Sequence, residues 1–139
     1  YCDNLIINEV EGGLLTGIPA RDGAGNLLDE NVVKILEKIR SFGVKERVII
    51  HCPERAYCLS DEGFIQVDSL KLPEGYIKGS VGAGDAFCAT MLYALHEDIA
   101  MPQALRMANA AAWFNLHNAT STDGAPTLAQ IEEFLEQHK

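Results

Sequence analysis

The glycine-rich stretch at residues 79–85 (GSVGAGD) constrains this chain more than any other feature. Apolar residues at three- and four-residue spacing follow it, which predicts a helix over residues 83–96. The first amide groups of a helix have no intrahelical acceptor, and the helix dipole is positive there. Because Gly82 and Gly84 carry no Cβ, an anion such as phosphate can approach the backbone closely. The stretch therefore predicts an anion site, with Asp85 in the first helical turn.

The function predicted for this loop depends on the role of Asp85. A carboxylate would repel a phosphate if it only lined the site, so Asp85 makes more sense facing a hydroxyl that must lose a proton. A Gly-x-Gly turn before a helix is also common as a tight connection, and Asp is a frequent capping choice in a first turn. The loop by itself leaves both interpretations open.

Composition narrows the class of protein. The chain has 139 residues, of which 47% are hydrophobic, enough for one globular domain with a core. A net charge of -9 argues against nucleic acid or an acidic membrane surface as partner, but not against a nucleotide held by backbone amides. The four cysteines show no metal-ligand pairing, and no apolar run is long enough to span a membrane. We therefore expect a cytoplasmic protein.

The first half of the chain reads as alternating strands and helices. The apolar runs 5–7 and 47–50 predict buried strands, and a helix capped by Asp29 lies between them. Runs 56–60 and 64–68, joined by a short polar turn, predict a hairpin at a sheet edge. This order predicts crossovers in an α/β sheet.

The second half reads as helical. One further helix begins near Pro102, and a capping box of Thr127 and Gln130 opens the last one. Trp113 and Phe114 are predicted to be core residues rather than a platform for a base. The apolar stripe of the last helix is predicted at Leu128, Ile131 and Leu135.

Polar residues follow both predicted strands. Asn8 and Glu11 come after the first strand, and residues 51–56 follow the second. Ligands of open α/β sheets bind at the carboxyl ends of the strands, so these segments are expected at one edge, where the glycine loop can join them. An amide, a carboxylate and an anion hole together are what a metal–nucleotide site requires.

Four motifs resemble those of one family. Residues 82–87 (GAGDAF) resemble the C-terminal signature of the ribokinase-like, PfkB-type carbohydrate kinases, and residues 8–11 (NEVE) resemble that family's N-x-x-E motif. Residues 109–112 (NAAA) resemble the helix beside the nucleotide, and residues 124–127 (GAPT) resemble the final turn. The resemblance implies a ribokinase-like three-layer α/β sandwich with a mostly parallel sheet. Since family members are considerably longer, residues 1–139 are expected to be the C-terminal nucleotide-binding and catalytic part, without the N-terminal half and lid.

The resemblance also implies a reaction. Family members transfer the γ-phosphoryl group of ATP to a hydroxyl of a sugar or related compound, with Mg²⁺. Asp85 matches the catalytic base, and Gly82, Ala83 and Gly84 match the anion hole. The implied partners are ATP and a small sugar-like substrate, with no nucleic acid and no membrane, and a homodimer is possible for the full-length protein.

The remaining site residues come from the same resemblance. Asn8 and Glu11 match residues that organise Mg²⁺ and phosphate, through water, because Mg²⁺ gives up its waters reluctantly. His51, Pro53 and Asn109 match positions that contact the nucleotide. His51 and Cys52 could instead be metal ligands, but a packed loop is the better interpretation because no partner pair has suitable spacing.

Two departures from the family pattern leave alternatives open. Gly79 stands where members carry an Asp that helps bind a monovalent cation, so that cation site is in doubt. The run 51–56 replaces a Thr-x-Gly-x-x-Gly stretch, and Pro53 has no amide donor. A non-catalytic nucleotide-binding protein of the same fold therefore remains an alternative, although Asp85 and Glu11 oppose it. An NAD-dependent oxidoreductase would need a glycine fingerprint after the first strand, which is missing.

Overall fold

The computed structural model describes residues 2–138. Contacts divide the chain into a first unit that ends at Gln66 and a second that begins at Val67. Within residues 2–138 no helix has both the length and the apolar character needed to cross a membrane. The helices and strands, in chain order, are β1 Asn4–Asn8, α1 Glu9–Thr16, α2 Asp29–Ser41, β2 Arg47–His51, β3 Arg55–Ser60, β4 Gly63–Asp68, α3 Ala83–His96, α4 Met101–Leu116 and α5 Leu128–Gln137.

The four strands form one sheet in the order β1-β2-β3-β4. β1 and β2 are parallel, as the crossover through α1 and α2 predicts, and β2 and β3 are antiparallel. The link from β2 to β3 is too short for a crossover, so the chain must turn straight back. The predicted edge hairpin is confirmed as β3 and β4, and it makes the sheet within this chain mixed rather than mostly parallel.

The core of the first unit lies between α2 and the sheet. The predicted stripe of α2 is confirmed, since its apolar side chains are buried against Val48, Ile50 and Tyr57. Alternate residues of a strand point to opposite faces, so Val48 and Ile50 face this core together. The buried residues of the α2 stripe are Val32, Ile35, Leu36 and Ile39.

The prediction that Asp29 caps α2 is wrong. The N-cap position is Leu28, which has no side-chain capping bond, and Asp29 is the first helical residue. The Asp29 carboxylate instead accepts a hydrogen bond from the Tyr57 hydroxyl and lies 3.3 Å from Nη1 of Arg55. Because Tyr57 is fully buried, its hydroxyl needs an acceptor, and Asp29 meets that need rather than capping the helix.

The second unit is helical. Small residues of α4, such as Ala104 and Ala108, are fully buried, and α3 packs against this helix. α5 packs against α4 through Ile131 and Phe134. The predicted stripe of α5 is therefore only partly right, because Leu128 is exposed at the first helical residue, whereas Phe134 is in the core.

Candidate active site

The carboxyl ends of β1 and β2 lie side by side. Asn8, the last residue of β1, is paired in register with His51, the last residue of β2. The two polar segments that follow these strands therefore begin at the same edge of the sheet, as predicted for this unit. Glu9 and Glu11 are close enough to act electrostatically on His51, since both oppose the lowering of its pKa that burial causes.

Asn8 and Glu11 form a capping box at the start of α1. The Oδ1 of Asn8 accepts from the Glu11 amide at 2.8 Å, and Oε2 of Glu11 accepts from the Asn8 amide at 2.9 Å. Both side chains are thus held by backbone hydrogen bonds rather than by packing. Because the box uses one carboxylate oxygen of Glu11, the other oxygen is left for a further interaction at an exposed position.

The turn after β2 is closed by a backbone hydrogen bond and contains a buried cysteine. The Cys52 amide donates to the Arg55 carbonyl at 3.0 Å, and burial raises the pKa of the Cys52 thiol to about 12. Among residues 2–138, no group of three His, Cys, Asp or Glu side chains is arranged to hold a metal ion. Pro53 is exposed beside Cys52 and has no amide hydrogen to donate.

An ion-pair cluster that the sequence analysis missed lies beside these segments. The Arg21 guanidinium donates to Oε1 of Glu9 through Nε at 2.9 Å and Nη2 at 2.8 Å. It also donates to Oε1 and Oε2 of Glu54, at 2.7 Å and 2.8 Å. The two carboxylates raise the pKa of Arg21 further, and Arg21 lowers the pKa of Glu54. No local sequence pattern predicts this cluster, because Arg21 is 12 positions from Glu9 and 33 positions from Glu54.

In the second unit, the glycine loop leads into α3 as predicted. Gly82 is the N-cap, at a φ of 90° that L side chains rarely adopt. The first helical hydrogen bond runs from the Ala86 amide to the Gly82 carbonyl at 2.9 Å. The amides of Ala83, Gly84 and Asp85 come before that bond and have no intrahelical acceptor. Asp85 is exposed in this first turn.

A loop after α4 holds the glycine loop in place. A Cβ on Gly82 would lie 2.4 Å from the Ser121 carbonyl oxygen, so the two backbones touch. The fully buried Asn115 donates to that same carbonyl at 2.8 Å, and the Lys78 amide donates to the Leu116 carbonyl at 2.9 Å. Gly82 is therefore required for the packing of this loop against residue 121. Asn115 and Ser121 were not found from the sequence, since nothing in their local pattern marks them.

Gly79 has close backbone neighbours as well. A Cβ at this position would lie 2.8 Å from the Asn118 carbonyl oxygen and 3.2 Å from the Ala119 Cα. Position 79 thus lacks the carboxylate expected of a cation site, and a side chain there would require residues 118–119 to move. No side-chain ligand for a monovalent cation is therefore available at position 79.

Asn109 carries an unsatisfied buried donor. This α4 residue is only 8% exposed, and its Nδ2 has no hydrogen-bond partner within residues 2–138. Nε1 of Trp113, one turn later, is also without a partner in that part of the chain. The Trp113 ring packs against Tyr76 and Phe134, with centroids 4.1 Å and 4.4 Å apart, as the prediction of a core residue requires. A buried donor without a partner is costly, so a ligand acceptor would explain Asn109.

The predicted residues fall into two groups. Asn8, Glu11, His51 and Pro53 lie in the first unit, whereas the glycine loop with Asp85, and Asn109, lie in the second. A cleft of about 460 Å³ lies along α1, and its lining includes Val10 and Leu14 as well as Glu9 and Arg21 of the ion-pair cluster. None of the predicted site residues lines this cleft.

Comparison with known proteins identifies the family of this chain. The family described as "pfkB family carbohydrate kinase" matches residues 1–128. The chain is 34% identical over 98 residues to a 5-dehydro-2-deoxygluconokinase of Geobacillus kaustophilus, covering 70% of this chain and 29% of that protein. The chain therefore spans less than a third of the length of this curated relative.

Solved structures give the same fold. The ribokinase of Thermotoga maritima has a TM-score of 0.78 at 25% identity, over 96% of this chain and 42% of its own. The ribokinase of Arabidopsis thaliana, solved with ribose and ATP, has a TM-score of 0.80 at 24% identity, over 96% of this chain and 41% of its own. A ribokinase II from E. coli, solved with ATP and Mg²⁺, has a TM-score of 0.74 at 23% identity, over 98% of this chain and 40% of its own. The predicted ribokinase-like α/β fold class is confirmed.

Proposed function

Since the chain belongs to the pfkB family of carbohydrate kinases, we propose that it supplies the nucleotide-binding and catalytic part of an enzyme that phosphorylates a hydroxyl of a sugar or related small molecule. ATP supplies the phosphoryl group when it is bound. The names of the relatives support a sugar kinase, and the ATP and Mg²⁺ bound in the structural neighbours support these two ligands for this chain.

One observation carries the proposal. Asp85 is exposed in the first turn of α3, next to amides that have no intrahelical acceptor. We assign the amides of the predicted anion hole, Gly82, Ala83 and Gly84, together with the Asp85 amide, to the charge that develops on the transferring group, a role that is worth about 10²–10³ in rate. The Asp85 carboxylate accepts the proton of the substrate hydroxyl as this oxygen forms the new bond to the γ-phosphorus of ATP, while the bond from that phosphorus to its bridging oxygen breaks and ADP leaves.

The other predicted residues take supporting roles. Asn8 and Glu11 would hold Mg²⁺ through water, since Mg²⁺ is commonly bound by one or two carboxylates together with substrate phosphates. The buried Nδ2 of Asn109 would donate to the nucleotide, which would satisfy it. His51 and Pro53 would line the nucleotide side of the first unit. No monovalent cation ligand is assigned at Gly79.

Replacement of the base tests the reaction. In the full-length protein that contains this chain, Asp85→Asn should lower kcat by about 10²–10⁴, the usual contribution of a positioned acid or base. The matched control is Asp98→Asn, an exposed aspartate just beyond α3 at a φ of 53°, which Asn tolerates well. A coupled ADP assay with a panel of sugars measures the rate, and unchanged turnover in Asp85→Asn would remove Asp85 from the mechanism.

A second candidate is a nucleotide-binding protein without kinase activity. It is favoured by Pro53, which offers no amide at an exposed turn expected beside the phosphates. Calorimetry with ATP, combined with the coupled ADP assay, separates the two candidates. Binding of ATP without ADP formation on any sugar of the panel would support the non-catalytic candidate.

A further inference from the structure

We infer that Arg21 is a positioning residue for the nucleotide. It holds the turn after β2 against the start of α1 and keeps the Glu54 carboxylate away from the nucleotide phosphates. The inference rests on the proposed function, because it assigns a phosphate-bearing ligand to this edge of the sheet. It adds a residue that no motif of the chain contains.

The geometry of Arg21 joins three segments of the first unit. Two of its nitrogens donate to Glu9, the first residue of α1, and two donate to Glu54 in the turn after β2. Nη1 also donates to the Gly25 carbonyl at 3.0 Å, which fixes the loop that carries Arg21. A guanidinium presents five donors in a rigid fork, and this arrangement uses all three of its nitrogens.

The two carboxylates that Arg21 bridges, those of Glu9 and Glu54, differ in burial. The Glu9 side chain is 8% exposed, whereas the Glu54 side chain is 41% exposed. The pair with Glu9 is therefore the anchor, and the pair with Glu54 is the end that can be released. Since Glu9 follows Asn8 directly and Glu54 follows Pro53 directly, the bridge ties together the two segments expected to approach the nucleotide.

We expect this bridge to affect nucleotide binding through the negative charge of Glu54. Glu54 lies in the turn that would face the phosphates. Pro53, in the same turn, has no amide hydrogen that could donate to a phosphate and offset the negative charge of Glu54. A free carboxylate there would repel a triphosphate. Both oxygens of the Glu54 carboxylate are bound by Arg21, so the carboxylate is held in one orientation with its negative charge directed at the guanidinium rather than at the phosphates.

The test uses the full-length protein that contains this chain. Five variants are compared with wild type: Arg21→Met, Arg21→Lys, Glu54→Gln and two double variants that combine Glu54→Gln with Arg21→Met or with Arg21→Lys. The dissociation constant of MgATP is measured by calorimetry, and kcat and KM for MgATP by the coupled assay. Hydrogen exchange of the Cys52 amide without nucleotide reports directly on the turn.

We expect Arg21→Met to raise both the dissociation constant and KM of MgATP by about tenfold, equivalent to about 1.4 kcal/mol, with a smaller effect on kcat. Exchange of the Cys52 amide should become faster. Adding Glu54→Gln should restore most of the MgATP affinity, because the released side chain no longer carries charge. A role in stability alone would produce no such recovery.

Arg21→Met leaves the buried Glu9 unpaired, which destabilises the fold. Arg21→Lys is therefore included as a variant that keeps a positive charge beside Glu9. A lysine can pair with Glu9 but cannot bind both carboxylates in fork geometry, so we expect a smaller rise in KM, again relieved by Glu54→Gln. The inference is overturned if Arg21→Lys and Arg21→Met bind MgATP as wild type does, or if Glu54→Gln brings no recovery. A wild-type protein that binds no MgATP would instead refute the proposed function, and the inference with it.

Discussion

Gly82→Ala tests how the glycine loop is held. Gly82 combines a φ of 90° with a close approach to the backbone of residue 121. A Cβ there would lie 2.4 Å from the Ser121 carbonyl oxygen and 2.6 Å from its Cα. These neighbours are backbone atoms, so they cannot move aside by a simple change of rotamer. Alanine at position 82 must therefore displace one of the two loops.

The expected loss of unfolding free energy in Gly82→Ala is the sum of two contributions. A left-handed conformation costs an L residue about 1–2 kcal/mol, and forcing extra atoms into a packed region costs about 1–3 kcal/mol, so the free energy of unfolding should fall by about 2–5 kcal/mol. Gly75→Ala is the matched control, since Gly75 has a φ of 75° but nothing within 4 Å of an added Cβ. That control should lose only the conformational term, about 1–2 kcal/mol.

Two assays follow the same pair of variants. Urea denaturation of the full-length protein measures the free energy of unfolding, and the coupled assay measures kcat. A shift of about 1 Å in a catalytic group can cost about 10² in rate, so Gly82→Ala should lose activity even where it remains folded, and Gly75→Ala should not. Equal destabilisation by both variants would refute the close approach of Ser121.

Two further predictions concern single groups. Glu11→Gln should raise the Mg²⁺ concentration needed for half-maximal rate without loss of stability, because glutamine can still accept from the Asn8 amide in the capping box; an unchanged magnesium titration, or destabilisation as large as that of Glu11→Ala, would contradict this. Burial raises the pKa of the Cys58 thiol to about 11 and that of the Cys52 thiol to about 12. At pH 8 the native protein should therefore react with iodoacetamide more slowly than the unfolded protein, by about 10² at Cys58 and about 10³ at Cys52, and both rates should rise with pH. Equal native and unfolded rates by mass spectrometry would refute the burial of these thiols.

Interactions between near neighbours in the sequence were predictable. The helix after the glycine loop follows from the spacing of its apolar residues, and the capping box of Thr127 and Gln130 is confirmed. Asn8 and Glu11 are also three residues apart, although the sequence placed them at a site without showing that they cap each other. Such patterns can be read because partners within four residues meet whenever the local helix or strand forms.

Partners far apart in the sequence were decided only by the tertiary structure. The bridge from Arg21 to Glu54 and the hydrogen bond from Tyr57 to Asp29 each join residues more than 25 positions apart. Asp29 shows the consequence, since its local pattern favours a cap while a buried hydroxyl takes its carboxylate. A helix period or a capping motif determines which element forms, but packing of whole elements determines which polar groups lose water together and must therefore pair.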